Sequence, residues 1–308
     1  MAYFLAIDIG GLSVKYGVLD RQGTIYEKGH FPSEREDFTL FMKPLIQCVH
    51  EIRTKYEIEG IAISSPGAVD TEEGTVHGGS ALPCIHEKDF RKIFMEQCQL
   101  PIAIENDANC AALGEVWKGA AANNQDVAFV VCGTGIGGAI VKNRKIHRGT
   151  HNHGGEFGYM IAYLEETDEG FAITNWSEAA SPGNMARAVS VQTGLAPDAL
   201  TAKEIYDLRD QGDVIAKQGI EKMYKELVKG IYNIQYTYDP EKIILGGAIS
   251  VREHLKDELD QMMARIMQAT PISKVTPQIE LCHYQADANM VGALYHYLQS
   301  NDLLESGE

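Results

Sequence analysis

Apolar positions along the chain follow two periods, and the β-rich runs end on glycine. Val127, Phe129, Val130 and Val131 lead into Gly133-Thr134-Gly135-Ile136-Gly137-Gly138, and Ala139-Ile140-Val141 follows before the polar break Lys142-Asn143-Arg144. That pattern predicts strand, glycine turn, strand. The same figure opens the chain: residues 3–9 run apolar into Gly10-Gly11, and Val14, Tyr16 and Val18 then alternate with other residues up to a turn at 20–23. Two copies of one unit suggest a duplicated α/β lobe, each lobe offering a hairpin to one shared phosphate chain.

Between the hairpins, the pattern predicts a strand over 24–30 and a helix over 38–56, with Phe41, Leu45, Val49 and Ile52 at helical spacing. A buried strand over 58–64 ends in a turn-rich loop at 65–70, where open α/β sheets usually bind ligands. A glycine-rich loop to Pro83, a helix over 88–98, a strand over 101–105 and a helix over 108–118 complete this half. Past the second hairpin come a polar loop at 147–159, an acidic stretch at 164–174 that reads as a surface loop or short hairpin, and a helical region over 176–191. Helices over 201–209 and 213–238, a buried strand over 242–249, a helix over 254–269, a strand over 278–282, a helix over 286–298 and a polar, frayed tail after Gln299 close the chain.

Length and charge narrow the function. A chain of 308 residues can bury two cores. Its net charge of −16 repels nucleic-acid backbones. No apolar run approaches the roughly 18 residues of a spanning helix, and residues 1–7 lack a basic flank, so a soluble cytoplasmic protein without membrane contact is expected. Six scattered cysteines without a CxxC pair suit buried thiols in a reducing compartment.

The candidate chemistry sits at the strand ends. Glycines at 133–138 let the backbone approach an anion, with Thr134 adding a hydroxyl, which suits a phosphate. Gly133, Gly135 and Gly138 also spell the dinucleotide pattern GxGxxG, but that requires a following helix, and a merely structural hairpin is a third reading. Asp8 ends the first strand, where a carboxylate holds magnesium directly or through water, or simply forms a turn. Asn106 and Asp107 open a helix, as N-caps or with Asp107 as general base for an alcohol. His147, His151, His153 and Glu156 have ligand chemistry without rigid ligand spacing, so a polar sugar-binding loop is preferred to a metal site. Glu178 reads as a helix-start carboxylate or a sugar-hydroxyl acceptor, and Gly246-Gly247 as a strand-to-helix junction or a passage beside adenosine.

With these residues in order, the chain resembles the ROK family, the kinases and repressors of the actin-like hexokinase superfamily. The segments that carry the resemblance are Asp8-Ile9-Gly10-Gly11, Ser65-Pro66-Gly67-Ala68-Val69-Asp70, Glu105-Asn106-Asp107-Ala108-Asn109, the glycine turn at 133–138, Gly155-Glu156-Phe157-Gly158 and Glu178, spread over nearly the full length. The resemblance implies an α/β, two-lobed actin-like ATPase (ribonuclease H-like) fold with an interlobe active-site cleft. The N-terminal lobe would span 1–118, with a C-terminal helix at 285–299 packing back on it. The C-terminal lobe, 119–284, would carry the second phosphate loop and the sugar-binding loop.

The family further implies transfer of the γ-phosphoryl group of ATP, with Mg2+, to a hexose hydroxyl, usually at the 6-position. Asp107 would deprotonate that hydroxyl, and Gly67, Asn106, Asp107, Glu156, Tyr159 and Glu178 would hold the sugar. Asp8 would orient the magnesium. Gly10, Gly11, Ser13 and Lys15, then Gly133, Thr134, Gly135 and Gly137, then Gly246 and Gly247, would hold the nucleotide, and lobe closure would exclude water. A homodimer is implied as well.

Three departures matter. Leu12 stands where the family usually has Thr, leaving Ser13 as the nearest hydroxyl. Gly158-Tyr159 replaces the usual Gly-His. The cysteine-rich zinc motif is absent between Met160 and Trp176, so no zinc site is expected and packing must order that loop. This resembles the zinc-free branch, with β-glucoside, glucose, mannose or N-acetylmannosamine as candidate acceptors. The competing readings are a sugar-responsive repressor, which would carry a helix-turn-helix ahead of the first strand, and a sugar-binding protein without catalysis.

Overall fold

A computed structural model describes residues 2–80 and 82–304, which form two compact α/β units. The first comprises residues up to 122, residues 148–153 and the chain from 286 onward, and the second comprises 123–147 and 154–285. These limits differ from 1–118 and 119–284 chiefly in the short segment 148–153. In that segment the Arg148 guanidinium forms an ion pair with Glu105 of the first unit.

The first unit opens with β1 (Tyr3–Ile9), β2 (Ser13–Asp20), β3 (Ile25–Pro32), α1 (Phe38–Arg53) and β4 (Ile58–Ser65). A short hairpin, β5 (Ala68–Asp70) and β6 (Thr75–His77), follows, then α2 (Phe90–Cys98), β7 (Ile102–Asn106) and α3 (Asp107–Lys118). The sheet order is β3-β2-β1-β4-β7, antiparallel through the first three strands and parallel through the last three. Every residue of β1 after Tyr3 is buried, whereas β3 alternates half-buried with exposed, as an edge strand with one wet face does. α1 buries Phe41, Leu45, Val49 and Ile52, the four positions its spacing picked out.

The second unit contains β8 (Val127–Cys132), β9 (Ile136–Lys142), β10 (Lys145–Ile146), a separate hairpin of β11 (Ile161–Thr167) and β12 (Gly170–Asn175), α4 (Trp176–Ala180), α5 (Pro182–Gln192), α6 (Ala202–Asp210) and α7 (Val214–Tyr238). It ends with β13 (Lys242–Gly246), α8 (Leu255–Ala269) and β14 (Ile279–Leu281). Its sheet order, β10-β9-β8-β13-β14, repeats that of the first unit strand for strand, with two antiparallel neighbours on one side of the lead strand and two parallel ones on the other.

α9 (Ala288–Ser300) returns to the first unit and lies along α3. Glycines permit the approach: a Cβ on Gly114 would stand 2.8 Å from the Ala288 carbonyl oxygen, and one on Gly292 would collide with the Cys110 carbonyl.

Several expected boundaries shift for local reasons. The expected loop at 65–70 and the glycine-rich stretch after it share the β5–β6 hairpin, in which Ala68 pairs with His77. The helical region over 176–191 breaks at Ser181, whose side chain caps a second helix started by Pro182. The strand expected to reach residue 249 stops at Gly246, because Gly247 has φ +85°. The last helix runs to Ser300, past the expected start of fraying. Of the two readings of 164–174, the hairpin is the one observed.

The six cysteines are buried, and among the described residues none forms a disulfide. Burial pushes the Cys132 thiol up to about 12, so it stays protonated. Among the described residues no helix is long and apolar enough to cross a membrane.

Candidate active site

In the first unit, the expected site residues gather at the carboxyl ends of three parallel strands. Asp8 on β1 stands in register with Ser64 on β4, Ser64 with Glu105 on β7, and Ser65 with Asn106. Ligands bind at this edge of an open α/β sheet because loops and helix N-termini collect there.

Asp8 is nearly buried, at 6% exposure. Its Oδ1 accepts from the Ser64 hydroxyl at 3.0 Å and from the Asn289 amide at 2.8 Å, while its Oδ2 lies 3.7 Å from the Lys15 ammonium. Neither Ser64 nor Asn289 stood out in the sequence: Asn289 is 281 residues away and arrives only because α9 packs on α3. The turn after Asp8 closes when the Gly10 N–H donates to the Ser13 carbonyl, and Ser33 braces it by donating its hydroxyl to the Gly10 carbonyl at 2.6 Å. Leu12 at the tip is 86% exposed.

At the end of β7, Asn106 caps α3: its Oδ1 accepts from the N–H groups of Ala108 and Asn109, and its amide donates to the Gly67 carbonyl at 3.0 Å. Gly67 has φ +100°, which glycine adopts freely. Asp107 is therefore the first residue of the helix and not its cap. It is half-buried, and its Oδ1 accepts the Ala108 N–H at 2.8 Å at the positive end of the helix dipole. Glu105, 1% exposed, supports this corner by accepting from the Asn106 N–H and the Asn109 amide and by pairing with Arg148. Arg148 carried no local signal, since its partner lies 43 residues earlier.

In the second unit, β8 and β9 form a hairpin around the glycine turn, as the absence of a following helix required. The Gly133 N–H donates to the Gly135 carbonyl, the Gly183 N–H to the Gly133 carbonyl, and the Ile136 N–H to the Ser177 hydroxyl. The glycines divide by what a side chain would meet. A Cβ on Gly133 or Gly137 would meet nothing within 4 Å, so packing does not require glycine there and the open backbone suits an anion. Gly246 and Gly247 differ: a Cβ would press on the Phe129 ring or the Cys132 backbone, so packing on β8 accounts for both. That packing still brings 246–247 beside the start of the glycine turn, with Gly246 paired to Val131.

Glu156 is exposed at the start of a one-turn 3-10 helix, and Tyr159 at its end is 73% exposed. Glu178 closes a capping box on α4: its Oε2 accepts the Asn175 N–H while Asn175 accepts the Glu178 N–H. One carboxylate oxygen thus does the helix-start work, and Oε1 remains for another hydroxyl. His147, His151 and His153 are exposed. Among the described residues the one grouping of three metal-ligating side chains is Asp70, Glu73 and His77 on the β5–β6 hairpin, which includes none of these. Asp70 there caps its own turn and His77 bonds Glu87.

The stretch between Met160 and Trp176, which packing was expected to order, is the β11–β12 hairpin, fixed through Trp176. Its indole N–H donates to the Glu226 carbonyl at 2.8 Å, and its ring fills the space left by Gly230 on α7. The Tyr163 hydroxyl donates to the Glu226 carboxylate, and the Lys229 ammonium sits 4.4 Å from the Tyr163 ring centroid.

Two α/β units on one strand order define the class, a two-lobed hexokinase-like protein, and solved structures share that architecture. A ROK family protein from Streptococcus pneumoniae TIGR4, solved in complex with sucrose, is 36% identical with a TM-score of 0.89, covering 98% of this chain and 100% of that one. A ROK family glucokinase from Streptomyces griseus, in complex with glucose and AMPPNP, shares the fold at 22% identity and a TM-score of 0.77, covering 95% of this chain and 98% of that one. A beta-glucoside kinase of Listeria innocua is 31% identical, over 96% of this chain and 98% of its own length. The ROK family model matches residues 4–300, and the chain belongs to that family.

Proposed function

We propose that this protein is an ATP-dependent sugar kinase that transfers the γ-phosphoryl group to a hexose or hexoside hydroxyl, the 6-hydroxyl in particular, with Asp107 as general base. The observation that carries the reading is the division of labour at the start of α3, where the Asn106 amide does the capping and a carboxylate, Asp107, follows it on the first turn. The name of the Listeria innocua relative, beta-glucoside kinase, supports the same class.

In this reading the acceptor oxygen attacks the γ-phosphorus as its proton passes to the Asp107 carboxylate. The new O–P bond forms, the bond from the γ-phosphorus to the bridging oxygen breaks, and ADP leaves with that electron pair. Asn106, Gly67, Glu156, Tyr159 and Glu178 hold the sugar. Gly10, Gly11, Ser13 and Lys15 take the phosphates from the first unit, and Gly133, Thr134, Gly135 and Gly137 from the second, with Gly246 and Gly247 beside the nucleoside. Magnesium, when bound, neutralises charge on the triphosphate. Asp8 would hold it directly or through water, its carboxylate aimed by Ser64 and Asn289. We propose a homodimer as the working form.

Coupled-assay measurement of ADP release over glucose, mannose, N-acetylmannosamine and β-glucosides tests the reading. Turnover on at least one acceptor, dependent on ATP and magnesium, is expected. Saturable sugar binding without turnover on any would assign a non-catalytic sugar-binding protein instead.

A further inference from the structure

Arg148 has no part in the phosphoryl transfer derived above, yet the fold draws it in. It is the one residue of 148–153 that is not exposed, and its guanidinium pairs with the Glu105 carboxylate, which is 1% exposed. Its Nε is buried without a hydrogen-bond partner, so the pairing is kept at some cost to the arginine itself. Glu105 uses its two oxygens differently. Oε2 takes the guanidinium, while Oε1 accepts from the Asn106 N–H at 2.7 Å and from the Asn109 amide at 3.0 Å. These two donors flank Asp107 on the first turn of α3. An apolar residue at 105 would leave both unmet, so the corner needs an acceptor there, and a buried charged acceptor needs a cation. Like charges sharpen that need: burial, and then the carboxylates of Glu105, Asp8 and Asp107, push the Cys110 thiol well up, which puts three carboxylates within electrostatic reach of one side chain. Lys15 answers Asp8, and Arg148 answers Glu105.

We infer that Arg148 is a positioning residue for the transfer step: by neutralising Glu105 it holds the first turn of α3, and with it the Asp107 carboxylate, in the geometry that meets the acceptor hydroxyl. The inference rests on the reading of Asp107 as general base. Without the guanidinium, Glu105 is a stranded buried charge, and turning it toward water releases the Asn106 N–H and the Asn109 amide together. The base then sits on a loosened turn, and a misplacement of about 1 Å costs roughly 10²-fold in rate.

Steady-state kinetics and hydrogen exchange on the intact protein test this. Arg148→Met should lower kcat by roughly 10–10²-fold with the KM for sugar and for ATP within about threefold, the pattern of an interaction that matters in the transition state. Arg148→Lys keeps the charge without the planar fork, so it should fold and still lose about threefold or more in kcat. Adding Glu105→Gln to Arg148→Met removes the stranded charge and keeps an acceptor for the two donors, so kcat should return to within about fivefold of wild type. Amide exchange at 106–109 should quicken in Arg148→Met and slow again in the double variant, whether or not substrate is turned over. Wild-type kcat in Arg148→Met or in Arg148→Lys, a loss that the double variant does not recover, or unaltered exchange at 106–109 would overturn the positioning role. Absence of turnover by wild type on every acceptor would overturn the kinase reading, while exchange at 106–109 decides by itself whether Arg148 holds the turn.

Discussion

Asp8 shows how a residue the sequence marks depends on residues it does not mark. The carboxylate is legible as the polar end of an apolar strand, but its orientation comes from Ser64 and Asn289, which only the packed fold delivers. A hydrogen bond to a buried charged group is worth about 1.5–3 kcal/mol. Asn289→Ala should therefore raise the magnesium concentration for half-maximal rate roughly tenfold, with sugar KM unchanged. An unaltered magnesium response would separate Asp8 from the metal. His296 gives a pH signature from the same corner. It is 8% exposed, and burial holds its pKa below the ordinary value, opposed by Glu105 and assisted by Arg148 and Arg91. The unfolded chain takes up this proton near pH 6.5 and the folded chain only lower, so stability falls as pH drops below about 6.5. His296→Gln should flatten the slope of Tm against pH between about 6.5 and 5. An unchanged slope would place the acid sensitivity in another group.

Elements defined by local signals were readable, and those defined by contact were not. α3 carries its start in adjacent residues, and on α7 the helically spaced Ile220, Met223, Leu227 and Ile231 are all buried. The break at Ser181 was signalled by Pro182 but masked by the helix formers on either side. The approach of α9 to α3 left only two small residues as a trace, Gly114 and Gly292, which have many other uses in a chain with 30 glycines. Gly292→Ala places a methyl group into the Cys110 carbonyl, an overpacking that costs about 1–3 kcal/mol and should lower Tm by roughly 5 °C or more. Because α9 carries Asn289, magnesium dependence should weaken with it. A Tm within about 1 °C of wild type would mean the helices part at no cost. The sequence of the β11–β12 hairpin fits a loop as well as a hairpin because its apolar residues face outward: Leu164, Phe171 and Ile173 are all more than half exposed, so no buried face fixes a period.

At the scale of the molecule, repetition was the strongest signal. Two strand–glycine–strand units announced two sheets, and the sheets share one strand order. Which short segments join which unit was not readable, since 148–153 meets its partners, Glu105 among them, only across more than 40 residues of chain. The acceptor was unreadable for a different reason: hydroxyl recognition depends on where a few side chains point. The central claim is that Asp107 takes the acceptor's proton, and 31P NMR of the product mixture with ATP, magnesium and the best acceptor tests it most directly. Wild type should give a sugar phosphate ester. Asp107→Asn should form it slower by several orders of magnitude, roughly 10²–10⁴-fold for a lost general base, while binding the sugar within about tenfold of wild type. Ester formation by the variant at the wild-type rate would contradict the account.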